Sequence, residues 1–327
     1  MNSTRPPYAA LTTTRDGVEL LELMCRQTDT CVSICPAAGM SVVGMTVAGQ
    51  QFVHLPLPLG SFVASQHTGG IPLLYPWANR LRSDLYQANG QDVDLADHTF
   101  VHRDGNGLPM HGLLVRWNQW EIDALAATDE SADLRCHIDW SNHEPLMAAF
   151  PFNHRLSISM RLKATSLTIE TSVTPKDQAP VPVSFGWHPY LQLPKSKRDD
   201  WTVTSPPLKQ VALDQNNLPA HPLVEKTAAD FAHGQPLKGH QFDDLFSGMH
   251  DGSTAHINGP ASSIAVTFDQ HYQWMQIFSP ADATYCCIEP MTSLTAQLSD
   301  DASKLPQAPP EMTWSAQFTV SIKTTDA

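Results

Sequence analysis

The stretch Leu156-Ser-Ile158-Ser-Met160-Arg-Leu162 places an apolar side chain at every second position. A period of two belongs to a strand with one buried and one wet face; apolar positions on a helix recur at 3.6. Leu167-Thr-Ile169-Glu-Thr-Ser-Val173 repeats the alternation with one lapse, and Leu134-Arg-Cys136-His-Ile138-Asp-Trp140 repeats it before that. Ile264-Ala-Val266-Thr-Phe268 and Phe318-Thr-Val320-Ser-Ile322 carry it towards the C-terminus. One-faced burial is the habit of antiparallel sheets, and β-branched and aromatic residues fill these runs. Turn residues separate them: Gly39, Gly49, Asp104-Gly-Asn-Gly107 and Asp251-Gly252. The 26 prolines suit loops and strand ends rather than helix interiors. Thr227 to His233, with Thr227 as N-cap, is the one short helix expected. The chain therefore predicts an all-β fold, a large antiparallel β-sandwich forming a single domain over residues 1–327.

Composition narrows the function. Lys plus Arg number 20 against 33 Asp plus Glu, a formal charge of −13. So acidic a chain has no electrostatic means of holding a polyanion, which excludes nucleic acid and anionic membrane surfaces as partners. The 42% hydrophobic content fills a core. No apolar stretch approaches the roughly 20 residues that span a bilayer, and MNSTRPPYAALTTTRDG has no apolar signal segment. A soluble cytoplasmic protein is the expectation. The six cysteines lack zinc-knuckle spacing, so no metal is expected; adjacent Cys286 and Cys287 point to opposite faces of a strand.

Five polar segments stand out from the strand pattern, each pairing ionisable or amide side chains with Gly, Pro or aromatic residues. They are Pro76-Trp-Ala-Asn79-Arg80, Pro109-Met-His111-Gly112, Phe185-Gly-Trp-His188-Pro-Tyr190, Phe242-Asp243-Asp-Leu-Phe246 and Cys287-Ile-Glu289-Pro-Met-Thr292. Met275-Gln276-Ile277 is a weaker sixth. Singly, each has a bland explanation: a surface ion pair, an ordinary turn, a histidine bonded to a carbonyl.

Taken together and in order, these segments resemble the aldose 1-epimerases, or galactose mutarotases, from about Gly39 to the strand at 314–322. NRLR at 79–82, GWHPY at 186–190 and CIEPMT at 287–292 carry the likeness. The resemblance implies a large β-sandwich with a sugar cleft on one concave face. It implies Glu289 as catalytic base and His188 as catalytic acid. Asn79, Arg80, His111, Asp243 and Gln276 are implied as sugar contacts, with Asp243 preferred to Asp244 only on its spacing to Phe246. Gly-Leu after His111, Leu-Gln after Tyr190 and the residues after Thr292 depart from the better-known pattern and bear on substrate choice.

The implied reaction opens a hemiacetal. One group removes the C1 hydroxyl proton while another protonates the ring oxygen; the aldehyde rotates and recloses on its other face. A carboxylate and a histidine on opposite sides of the anomeric centre suffice, with no cofactor, and Asp243 is expected to help keep the imidazole charged. Trp77 or Trp187 can offer an apolar face to the sugar, with a place in the core as the equal alternative for either. A phosphorylated hexose needs extra cations, for which Arg82, Arg103 and Arg116 are the nearby candidates. A non-catalytic sugar-binding sandwich is the remaining alternative, and the presence of both His188 and Glu289 counts against it. The oligomeric state is open.

Overall fold

In the computed structural model, which describes residues 6–228 and 230–325, the alternating run at 156–162 lies inside the strand His154–Lys163. That strand pairs along its whole length with Ser166–Pro175 and on its other side with Ala132–Asp139. These three belong to a nine-stranded sheet. From edge to edge its strands are Gln235–Pro236, Thr202–Thr204, Thr254–Asn258, Ser262–Phe268, Trp314–Thr324, Ser166–Pro175, His154–Lys163, Ala132–Asp139 and Glu121–Ala127.

A second large sheet lies against it. Its strands run in the order Glu225–Ala228, Leu208–Val211, Phe242–Ser247, Trp274–Ser279, Cys286–Met291, Gly186–Trp187 and Leu73–Leu74, with Tyr190–Leu191 also paired to Cys286–Met291. A five-stranded meander over residues 8–51 completes the layers. Helices are confined to single turns such as Leu59–Val63, Glu144–Ala149 and Gln297–Asp301. No helix among the described residues is long and apolar enough to cross a membrane.

One hydrophobic cluster joins the two large sheets. Leu156, Ile158, Met160 and Ile169 enter it from the first, and Met275, Ile277, Ile288 and Trp187 from the second. Because side chains alternate along a strand, the second sheet turns its other face, with Gln276, Phe278, Cys287 and Glu289, away from this core. The sheet that fills the core thereby also builds the site.

Two expectations are corrected. Residues 225–228 form a strand on the sheet edge, paired with Leu208–Val211, and only Asp230–His233 makes a 3₁₀ turn. Glu225, Lys226 and Thr227 are all exposed, so no apolar alternation marks this strand; backbone pairing and the contacts of Glu225 with Ser247 and Lys209 hold it. Trp77 and Trp187 are fully buried in the core and offer no ring face to a ligand.

Candidate active site

Register places the central pair. Gly186 pairs with Met291 and Tyr190 with Cys287, which leaves His188 opposite Glu289; on the far side Gln276 pairs with Glu289. Side chains directly across a ladder are nearest neighbours. Gln276, Glu289 and His188 therefore form one row across two strands and the segment that joins Gly186–Trp187 to Tyr190–Leu191, with His188 Nε2 at 3.3 Å from Glu289 Oε1. His188 and Glu289 thus stand side by side, not on opposite sides of a gap that a sugar carbon could fill. Gly186 makes the approach possible, since a Cβ there would lie 2.7 Å from the Pro290 carbonyl oxygen and 2.9 Å from Ala78 Cβ.

The rest of the site comes from loops. Asn79 and His111 both take positive φ, 55° and 65°, in the left-handed region that Asn and His tolerate better than most residues. The His111 N–H donates to the Asn79 carbonyl at 2.8 Å, clamping the two turns together. Gly112 follows at φ 68°, where a Cβ would collide with the Tyr75 backbone at 2.2 Å. Arg80 donates from Nε to Asp104 at 2.7 Å and from its NH1 nitrogen to Asn79 Oδ1 at 3.0 Å. Burial pushes the Asp104 carboxyl up, but Arg80 and the N–H groups of Leu108 and Asn106 outweigh it and hold the group below its usual range. Sequence reasoning saw only a turn at Asp104; its carboxylate fixes the Arg80 guanidinium.

Asn79, Arg80, His111, His188, Asp243, Gln276 and Glu289 all line one cavity of about 180 Å³. Asp243 accepts from Gln276 at 2.7 Å and from Asn217 at 2.9 Å, whereas Asp244 accepts from Gln210 outside this cavity. Thr68, Met110, Tyr190 and Phe278 also line it and were not singled out. Phe278 was legible, standing two residues from Gln276 on one strand. Tyr190 stacks on His188 with ring centroids 4.3 Å apart and planes at 4°, and its hydroxyl is hydrogen-bonded to Thr68 at 2.6 Å. The volume is below the roughly 300–1,000 Å³ of drug-sized sites and suits a single small ring.

The aldose 1-epimerase family model matches residues 26–313. The chain belongs to the aldose 1-epimerase family. A galactose mutarotase-like protein from Clostridium acetobutylicum superposes with a TM-score of 0.84 at 18% identity, covering 98% of this chain and 100% of that one. Slr1438 from Synechocystis sp. PCC 6803 gives 0.75 at 24% identity over 99% of both chains. At these identities the likeness is one of fold. In sequence, the uncharacterized protein YihR of Escherichia coli K12 is 25% identical over 216 residues, 65% of either chain, so the match spans just under two thirds of that relative.

In this member of the aldose 1-epimerase family, burial dominates the electrostatics of the pair. It drives the His188 imidazole down to about 3. Burial also pushes the Glu289 carboxyl well above its usual range, with Asp243 adding to the rise and Arg80 opposing it. Burial thus favours the neutral pair, a carboxylic acid beside an unprotonated imidazole. Asp243 thus acts on Glu289 and is tied to Gln276; it does not hold His188 charged as the sequence suggests. His111, ring centroid 5.4 Å from that of His188, is also kept neutral, by burial first and then by His188, His102 and Arg80.

Thr68 and His111 open onto a second cavity of about 460 Å³ whose walls include Phe100, His102, Arg116, Trp117 and Glu144. Arg82 and Arg103 lie outside both cavities, paired with Asp300 and Asp84. Arg116 donates to the carbonyls of Ser65, His67 and Val115 and sits over the Phe62 ring at 4.4 Å; no carboxylate pairs with it among the described residues.

Proposed function

We propose that the protein is an aldose 1-epimerase (mutarotase) that interconverts the α and β anomers of an aldohexose by acid–base ring opening. The observation that carries this is the 3.3 Å contact between His188 and Glu289 at the end of a cavity sized for one ring. The hydroxyl oxygen on C1 and the ring oxygen share one carbon, so groups that serve them must stand side by side. Glu289 takes the C1 hydroxyl proton, His188 gives a proton to the ring oxygen, the bond from C1 to that oxygen breaks and C1=O forms. Rotation about C1–C2 and the reverse transfers give the other anomer.

The proton count explains the burial. The closed ring requires Glu289 ionised and His188 protonated; the open aldehyde leaves Glu289 protonated and His188 neutral. Burial disfavours the ion pair, so the site raises the closed complex towards the open one. General acid–base catalysis of this kind contributes about 10²–10⁴-fold. Arg80, Asn79, Gln276 and Asp243 hold hydroxyls, and Phe278 and Tyr190 offer apolar faces to C–H groups.

The row also orients the sugar. With Glu289 at C1 and His188 at the ring oxygen, Asp243 and Gln276 fall on the C2 side and His111 on the C5 side. A group on C6 then points past His111 towards the second cavity, where Arg116 has no acidic partner among the described residues. That observation favours a C6-charged hexose, such as a hexose 6-phosphate, as the second reading. Polarimetry on freshly dissolved α-D-glucose, α-D-galactose, pentoses and glucose 6-phosphate tests both. Faster equilibration of the neutral aldoses is expected; acceleration of the 6-phosphate alone selects the second reading, and acceleration of none leaves only a binding protein.

A further inference from the structure

We propose that the acid–base pair doubles as two of three ligands for a thiophilic divalent cation, Zn²⁺, with Cys287 as the third, and that zinc binding switches the site off. Cys287 stands two residues before Glu289 on the strand Cys286–Met291, so both side chains leave the same face of the sheet. Cys286, on the other face, belongs to the core. His188 comes from the neighbouring segment, between the two ladder pairs that flank it. One ligand atom from each of His188, Cys287 and Glu289 can be chosen so that all three lie within 4.8 Å of one another, and all three residues are buried.

Zinc binds imidazole and carboxylate at about 2.0–2.2 Å and thiolate at about 2.3 Å, which puts tetrahedral ligands roughly 3.3–3.7 Å apart. The His188–Glu289 contact of 3.3 Å already has that spacing. The thiol has to close by about an ångström, within the reach of one side-chain rotation. Charge closes too: one thiolate, one carboxylate and one neutral imidazole around a divalent ion sum to zero, which suits a buried site. A His, Cys and Glu set is the N, S and O mixture that zinc accepts and that magnesium and calcium, which require oxygen ligands, do not. His188 faces Glu289 through Nε2, which is therefore the ring nitrogen that would take the ion. The three ligands leave a fourth position towards the cavity, which water can fill, and a sugar seated against Glu289 and His188 excludes the ion.

The inhibition half of this proposal rests on Glu289 and His188 being the catalytic pair; the binding half does not. Two measurements therefore run together. In the first, mutarotation of α-D-glucose is followed with added Zn²⁺ and, as a control, Mg²⁺. Micromolar Zn²⁺ is expected to inhibit in competition with the sugar and to be reversed by EDTA, with Mg²⁺ inert. Cys287→Ser is expected to keep its activity while its inhibition constant for zinc rises at least about 10-fold, since even outer-shell losses at metal sites cost about 10–100-fold. In the second, Co²⁺ is titrated into the purified chain as a coloured stand-in. One equivalent is expected to give thiolate-to-cobalt charge-transfer absorption in the wild type and none in Cys287→Ser, whether or not the protein mutarotates. Equal zinc sensitivity in wild type and variant, or no thiolate band with the wild type, would overturn the proposal. Should Cys287→Ser fold poorly, loss of the cobalt band on saturating the wild type with sugar serves in its place, and its persistence contradicts the site.

Discussion

At the residue scale, Glu289 and His188 hold one exchangeable proton between them, and the pair titrates as a unit. Catalysis requires that proton to be present once. A second proton must go onto a buried imidazole that burial has already taken down to about 3. The acid limb of kcat against pH is therefore expected well below the ordinary imidazole value of about 6.5. The alkaline limb follows the last proton, held by a carboxyl that burial raises. A rate profile by stopped-flow polarimetry with its acid limb at about 6.5 contradicts this arrangement. The same burial predicts a stability effect. Glu289 is raised above its unfolded value, so relative to a neutral side chain its cost is absent below about pH 4.3 and grows as pH rises. Glu289→Gln is thus expected to be more stable than the wild type at pH 7, by about 1–2 kcal/mol, with the gain vanishing near pH 4. Thermal melts at the two pH values measure it; a less stable variant at pH 7 runs against the account.

At the scale of elements, the site is a row on a sheet, and register rather than loop conformation sets its central distance. Gly186 lies at the crossing of three segments, where a Cβ would lie 2.7 Å from the Pro290 carbonyl, 2.9 Å from Ala78 and 3.1 Å from Met291. Gly186→Ala is expected to destabilise the protein by about 1–3 kcal/mol, the usual cost of overpacking. It should also lower kcat by parting His188 from Glu289; chemical denaturation and polarimetry on one preparation test both. Unchanged stability and rate contradict the packing described. This scale also shows what the sequence revealed. Strands with a core face, such as His154–Lys163, announce themselves by alternation, and Gln276 and Glu289 occupy the polar positions of that alternation, on the face away from the core. The edge strand Glu225–Ala228 carries no such mark, because exposed strands are held by backbone pairing. Nor could spacing along the chain show that His188 joins Cys287 and Glu289 on their face of the sheet, that Asp104 fixes Arg80, or that a second cavity opens beside His111. Those depend on how distant turns meet.

For the molecule as a whole, the core that joins the two sheets holds a histidine that acid will attack. His154 is fully buried, hydrogen-bonded to the Tyr75 hydroxyl and the Phe152 carbonyl, each at 2.6 Å, and stacked on Trp140. Burial lowers it to about 4, its bond to Phe152 only partly offsetting the loss. The unfolded chain takes up a proton below about 6.5, and the folded chain does not until about 4, so stability falls across that window by about 3 kcal/mol. Urea titrations at pH 7 and pH 4 should show such a loss, and His154→Gln should reduce it; an equal loss in the variant assigns the acid sensitivity elsewhere.

The proposed mutarotation rests on one carboxyl set beside one imidazole at a cavity of about 180 Å³. Mutarotation of fresh α-D-glucose by wild type and Glu289→Gln, with sugar affinity measured on the same samples, tests that directly. The variant keeps the shape and most hydrogen-bonding reach of the side chain but cannot accept the C1 hydroxyl proton. Wild type should speed equilibration, and Glu289→Gln should lose at least about 10²-fold in rate while affinity changes little. Near-normal mutarotation by Glu289→Gln would show that the base lies elsewhere, with Asp243 the next residue to replace.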